Sequence, residues 1–207
     1  MFGLGFKKKK MKKNIIWSSI VLAMLFASSC VTNRTVTRVD TDKQIDLSGR
    51  WNDVDSKLTA EAMIDQVLNE VWLENFRKEK NGERPVVIVG MVKNKSHEHI
   101  EAETFIKDLE KSFIKSQRVR LVQAGEKRDE IRLERADQQS NSSVSTMKKF
   151  GLEIGADFML QGSINSIVDA YKKDKVVYYQ IDLELTNIQT NEIVWIGDKK
   201  IKKVVKN

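Results

Sequence analysis

The chain has 207 residues, of which 41% are hydrophobic and 31% are charged, and its formal net charge is +7. This composition is typical of one ordinary globular domain and excludes a multi-span membrane protein and an intrinsically disordered chain. Residues 1–29 contain six lysines and no acidic residue, so the rest of the chain has a net charge of only +1. We therefore expect no nucleic-acid partner, because a nearly neutral protein lacks the positive field that attracts phosphates.

Residues 1–29 are predicted to be a signal peptide. A lysine cluster precedes the apolar run of residues 15–27, which is 13 residues long. A membrane-spanning helix needs about 20 residues, so this run is too short to cross a bilayer comfortably. Either Met1 or Met11 fits as the start, because Met11 already stands before a basic pair.

Cys30, the only cysteine of the chain, is predicted to carry a lipid. The preceding residues 27–29 (ASS) resemble the bacterial lipobox, although Ala27 stands where that motif usually has leucine. The thiol is then expected to receive diacylglycerol and to become an acylated mature N-terminus that anchors the protein. No aspartate follows Cys30, which favours the periplasmic side of the outer membrane. The alternative is an ordinary secretory signal with a free thiol; no other cofactor is expected.

The chain after Cys30 is predicted to contain a short tether and one domain. Residues 31–45 are polar and rich in threonine and lack a helical pattern, so they are expected to form the tether. Residues 46–207 are expected to form the domain. A domain of roughly 160 residues buries enough surface for a stable core without disulfides.

Four helices are predicted in this domain. The first is expected to begin after Thr59, whose hydroxyl would cap it. The most regular apolar spacing runs from Ala102 to Phe113, with acidic residues at its start and basic residues at its end. A last helix is expected to end at Gly155. The predicted helices cover residues 60–80, 102–118, 126–138 and 144–154.

Five strands are predicted. Residues 85–92 form a continuous apolar run with β-branched side chains, which favours a buried strand. Residues 177–186 alternate between apolar and polar, and a turn at residues 190–191 joins them to a second strand of a hairpin. The fold class is therefore α/β in the α+β sense, with a single mixed, largely antiparallel sheet of about four or five strands flanked by about four helices. The predicted strands cover residues 85–92, 119–122, 157–168, 177–186 and 192–204.

No catalytic or metal site is predicted. His97 and His99 stand near glutamates, but they lie in a polar segment and are the only two histidines, so we favour a solvated loop over a zinc site. The serine-x-x-lysine pattern begins at Ser112 and again at Ser145, without the accompanying motifs of penicillin-binding enzymes. We therefore predict a binding protein that is not an enzyme.

Three stretches of the domain together resemble the LpoB-type lipoproteins, which are outer-membrane activators of class A penicillin-binding proteins. They are residues 46–56 (DLSGRWNDVDS), residues 155–164 (GADFMLQGSI), and a hairpin with residues 179–185 (YQIDLEL) and 191–195 (NEIVW). The TolB N-terminal domain and the curli secretion channel have similar strands. The resemblance implies an LpoB-like α/β domain that docks on a periplasmic domain of the synthase and stimulates glycan polymerisation, with no catalysis of its own.

The tether departs from the pattern of this family. Enterobacterial members have a long proline-rich tether, whereas this chain has a single proline, Pro85. Fifteen extended residues reach at most about 50 Å. The distance that the domain can travel from its membrane is therefore short.

Candidate partner contacts are Arg50, Trp51, Asn52, Asp53 and Asp55. Aromatic and arginine side chains outside regular structure are enriched at the hot spots of protein interfaces. The alternative is that Trp51 fills the core of the domain and the aspartates hold a turn.

A second functional hypothesis is a structural or assembly component of an envelope or secretion complex. A membrane-crossing assembly would need paired amphipathic strands with one face suited to lipid. Asp182 and Glu184 stand on the polar face of the strand at residues 176–186, where they suit water. This observation favours the regulatory binding module.

Overall fold

The computed structural model describes residues 35–40, 43–149 and 151–206. The predicted signal peptide and Cys30 lie outside the described residues, as does part of the tether. Residues 44–207 form a compact unit, and every residue of the hydrophobic core lies within it. This part of the chain therefore contains all that it needs to fold independently. None of the helices among the described residues is both long and apolar enough to span a bilayer.

In the described part of the chain, four helices flank one sheet of five strands. The strand order is β2-β1-β3-β4-β5, with β1 parallel to β2 and β3 and antiparallel pairing through β3, β4 and β5. The α+β fold class with a mixed, largely antiparallel sheet is confirmed. The helices are α1 (Asp53–Leu68), α2 (Val71–Glu79), α3 (Ala102–Ser116) and α4 (Gly125–Asn141). The strands are β1 (Val86–Asn94), β2 (Arg120–Leu121), β3 (Phe158–Tyr171), β4 (Asp174–Asn187) and β5 (Ile193–Val205).

The predicted start of the first helix at Thr59 is wrong. The Asn52 side chain accepts a hydrogen bond from the Asp55 backbone N–H, and the Asp55 carboxylate accepts one from the Asn52 N–H, each at 3.0 Å. This reciprocal capping box starts α1 at Asp53, and Thr59 lies fully buried inside the helix. The helix is also interrupted after Leu68, so the single helix expected over residues 60–80 is in fact two helices, α1 and α2.

The helix predicted over residues 144–154 is also wrong. Residues 144–146 form only a turn, in which the Ser143 carbonyl accepts hydrogen bonds from the N–H groups of Thr146 and Met147. Val144 and Ile154, expected on the buried face, are exposed. An isolated short helix is not stable without a packed apolar face, and neither of these side chains is buried in the core.

The core lies between one face of the sheet and helices α1 and α3. Alternate residues of β4 from Val177 to Leu185 are buried on this face, as their sequence pattern predicted. Helix α1 packs against α3 and β5, and α3 packs against β1. Helix α2 covers the start of β3, where Trp72 and Phe158 have ring centroids 5.0 Å apart. The core therefore brings the start of α1 next to the end of β5.

Candidate functional site

Residues 46–55, here called the docked segment, lie against the end of β5 and are held there by Lys203. Its ammonium Nζ donates to Asp46 Oδ1 at 2.8 Å, to the Arg50 carbonyl oxygen at 3.0 Å and to Asp55 Oδ2 at 2.5 Å. The side chains of Lys203 and Asp55 are only 11% and 10% exposed. One buried cation therefore joins three points of a segment that precedes it by about 150 residues.

The charges around Lys203 stabilise one another. Burial lowers the pKa of Lys203, but its hydrogen bonds to Asp46 and Asp55 outweigh that effect and raise the pKa above its ordinary value. The hydrogen bond from Lys203 also lowers the pKa of Asp46. At neutral pH, Lys203 and Asp46 are therefore both charged.

A second set of hydrogen bonds fixes the middle of the docked segment. Glu98 accepts from the Tyr179 hydroxyl at 2.7 Å through Oε1 and from the Trp51 backbone N–H at 3.1 Å through Oε2. Burial, followed by the hydrogen bond to Glu98, raises the pKa of Tyr179, so its hydroxyl remains a neutral donor. Gly49 has a φ of +67°, and a Cβ there would collide with the Val205 side chain. The close approach of the segment to β5 therefore requires glycine at this position.

The structure places Trp51 against the core of the domain. Its ring is partly buried and makes edge contacts with Phe105, at a centroid distance of 6.2 Å, and with Tyr179, at 5.6 Å. Asn52 and Asp55 form the capping box described above, whereas Arg50 and Asp53 are exposed. The five candidate residues thus lie together, but only Arg50 and Asp53 have side chains directed to solvent. Contact of these residues with a partner stays a prediction.

The loop with His97 is part of this site, although the sequence indicated only a solvated segment. His97 Nδ1 lies 2.6 Å from Ser166 Oγ, and Nε2 lies 3.2 Å from Glu98 Oε1. The His97 ring also stacks near Tyr179, with centroids 6.4 Å apart. Among the described residues, no group of three or more His, Cys, Asp or Glu side chains is arranged to hold a metal ion.

Sequence reasoning missed the residues that hold the site together, namely Glu98, Tyr179 and Lys203. Asp46 and Lys203 are 157 residues apart, so no local spacing links them. The Asn-x-x-Asp pattern at residues 52–55 was a usable signal for the helix start. The hydrogen bonds and ion pairs here hold a surface segment in one conformation.

The family model described as "Peptidoglycan-synthase activator LpoB" matches residues 55–201. The LpoB C-terminal domain from Salmonella enterica is 18% identical with a TM-score of 0.41, and 72% of this chain and 99% of that chain are covered. The corresponding domain from Escherichia coli is 20% identical with a TM-score of 0.39, covering 74% and 99%.

The NMR structure of Escherichia coli LpoB is 17% identical with a TM-score of 0.40, covering 86% of this chain and 88% of that chain. No curated protein sequence matches this chain. The family assignment rests on the family model, which spans the domain from helix α1 to strand β5. The chain belongs to the LpoB family of peptidoglycan-synthase activators.

Proposed function

We propose that this protein is a lipid-anchored periplasmic regulator that binds a class A penicillin-binding protein and stimulates its glycan polymerisation. The observation that carries the proposal is the match of residues 55–201 to the family of peptidoglycan-synthase activators. The near-neutral charge after residue 29 and the lone Cys30 after a signal-like segment agree with an exported, anchored protein. The regulator acts through binding and has no catalytic step of its own.

The proposed anchor is an acylated Cys30 in the outer membrane. The acyl chains insert into the bilayer, and their many buried CH₂ groups hold the protein firmly. Residues 31–45 then connect the membrane to the docked segment, with a reach of at most about 50 Å. The synthase must therefore come within this distance of the outer membrane for binding.

The proposed contact surface is the exposed part of the docked segment, with Arg50 and Asp53 as its charged contacts. Lys203 and Glu98 fix the backbone of this segment. A surface that is already ordered loses little conformational freedom on binding, so more of its interaction energy contributes to affinity. Arginine is also among the residues most often found at binding hot spots.

The test is the affinity of residues 31–207 for the periplasmic part of the class A synthase from the same organism. Arg50→Glu and Asp53→Lys should each raise Kd about tenfold, which corresponds to about 1.4 kcal/mol. Lys78→Glu is the matched control. Lys78 is exposed on α2, which packs against the start of β3, at the end of the sheet away from the docked segment. Equal losses for all three variants would contradict the assigned surface.

Absence of binding by the folded wild-type domain would contradict the proposal itself. In that case, recovery of another envelope protein with this domain would favour the structural or assembly role.

A further inference from the structure

The far end of the sheet extends beyond the core. The last five residues of β3 and the first of β4 are exposed, and the core on these strands ends at Ile164 and Val177. The end of β5 runs alongside, with Val204 paired to Val176. We call residues 167–176 and 202–206 the tip surface. Such a projection does not contribute to the core, so its composition points to another role.

The tip surface exposes large apolar side chains on one face. Ile167 is 66% exposed, Tyr171 is 73% exposed and Val204 is 60% exposed. Directly paired residues share a face of a sheet, and Asp169, Val176 and Val204 form one such row across the three strands. Ile167 and Tyr171 are each two residues from Asp169 along β3, so they lie on the same face as Val204. An aromatic and two aliphatic side chains are therefore presented together to solvent.

Lysines lie on both faces of the tip surface, with Lys202 on the face that carries these apolar side chains and Lys175 on the opposite face. The Lys172 ammonium lies 5.3 Å from the centroid of the Tyr171 ring. The tip surface contains six lysines and two aspartates, and one of the lysines, Lys203, is bound to the docked segment. Long lysine side chains and tyrosine suit a bilayer interface, because their apolar parts enter it while their polar ends remain in water. The charged residues are Lys172, Lys173, Lys175, Lys202, Lys203, Lys206, Asp169 and Asp174.

The chain that leads to Cys30 leaves the domain at this same end. Asp46 is hydrogen-bonded to Lys203, and Gly49 lies against Val205. Because residues 31–45 span at most about 50 Å, the tip surface is within reach of the membrane that would hold Cys30.

We propose that the tip surface docks on the anionic phospholipid surface of the membrane to which the protein is anchored. This inference rests on the proposed lipid anchor at Cys30. The excess of lysine attracts anionic headgroups, and the exposed Ile167, Tyr171 and Val204 enter the interface. In the docked orientation, the loop between β4 and β5 and the start of β3 point away from the membrane, because they lie at the end of the sheet opposite the tip surface.

The experiment uses residues 31–207 with an N-terminal hexahistidine tag, held on vesicles by a nickel-chelating lipid. The tag replaces the natural anchor, so the result does not depend on acylation of Cys30. A single cysteine is introduced as Ala170→Cys at the tip or as Gln189→Cys in the β4–β5 turn, both exposed positions. Each is labelled with a fluorophore, and quenching by nitroxide lipids is measured.

With phosphatidylglycerol in the vesicles, the label at position 170 should be quenched at least about threefold more strongly than the label at 189. The difference should shrink with phosphatidylcholine alone, with high salt, and in the triple variant Lys172→Glu, Lys175→Glu, Lys202→Glu. Equal quenching at the two positions, or no effect of the charge reversal, would overturn the proposal.

A separate measurement distinguishes a lipid surface from a protein partner. The triple variant should bind the synthase with unchanged Kd in detergent solution without vesicles. A loss of at least about tenfold would show that the tip contacts the synthase and would overturn membrane docking as its role. Failure of wild-type binding to the synthase would count against the proposed function and leave the quenching result unaffected.

Discussion

Replacing Lys203 by methionine is expected to release the docked segment and to destabilise the domain. Methionine preserves most of the side-chain volume but removes the three hydrogen bonds to Asp46, Arg50 and Asp55. The Asp55 carboxylate, 10% exposed, would lose its cation. Breaking a buried ion pair from one side costs about 3–5 kcal/mol.

The expected loss for Lys203→Met is somewhat smaller than that range. Asp55 keeps its hydrogen bond from the Asn52 N–H and lies in the first turn of α1, where the helix dipole favours a negative charge. We therefore expect about 2–4 kcal/mol. For a domain of this size, each kcal/mol corresponds to about 2–4 °C, so Tm should fall by about 4–16 °C.

Urea and thermal unfolding of residues 31–207 measure this loss. Lys202→Met, on the opposite face of the same strand, is the matched control and should stay within about 0.5 kcal/mol of wild type. Adding Asp55→Asn to Lys203→Met should recover part of the stability, because the buried charge is then removed. A loss below about 1 kcal/mol for Lys203→Met, the size of an exposed ion pair, would refute the reasoning.

Three further predictions concern pH, strand pairing and a surface loop. Because Lys203 lowers the pKa of Asp46, their bond stabilises the fold above the ordinary pKa near 3.8 and is lost as pH falls through the lowered pKa. Tryptophan fluorescence, which reports Trp51 together with Trp72 and Trp195, should therefore change below about pH 4 more in wild type than in Lys203→Met. Gly162→Ala should cost about 1–3 kcal/mol in urea unfolding, since its Cβ would meet a backbone oxygen of β4, whereas a matching alanine at the open Gly155 should be nearly neutral. Two arginines of α4 form ion pairs with the Glu153 carboxylate and lower its pKa to about 2. Glu153→Gln removes this charge, so tryptic cleavage within residues 142–155 should become faster; an unchanged cleavage rate would show that these ion pairs do not hold the segment.

The hairpin of β4 and β5 was predictable because the alternation of apolar and polar residues in β4 matches the alternation of its buried and exposed faces. Residues from Val177 to Leu185 alternate strictly, and one face of the sheet is covered by α1 and α3 while the other meets water. The register of β1 against β3 was not predictable from such a pattern, because it contains a bulge in β1 between Val89 and Val92, opposite Gly162.

The helix errors show where local pattern fails. Apolar spacing at residues 144–154 resembles a helix, yet Val144 and Ile154 are exposed, and a short helix without a buried apolar face is not stable. The start of α1 was misplaced because Thr59 is a good capping residue by type, whereas Asn52 and Asp55 together satisfy two backbone N–H groups. Reciprocal caps are therefore stronger signals than a single capping residue.

The candidate site was located by resemblance, but its internal organisation depends on tertiary contacts. Trp51 was expected either to contact a partner or to fill the core, and the structure packs it on Phe105 and Tyr179. The bonds from Lys203 and Glu98 join elements far apart in the chain, so they follow from the register of the sheet. Only a folded structure separates the exposed Arg50 from the partly buried Trp51 and Asn52.

The most direct test of the account is glycan-strand polymerisation from lipid II by the class A synthase of the same organism, with and without residues 31–207. The account predicts a clear rise in rate that Arg50→Glu reduces in a protein that remains folded. Trp51→Ala should also reduce it, through loss of order in the docked segment. An unchanged rate with the folded wild-type domain present at saturating concentration would contradict the central claim that this protein activates a peptidoglycan synthase.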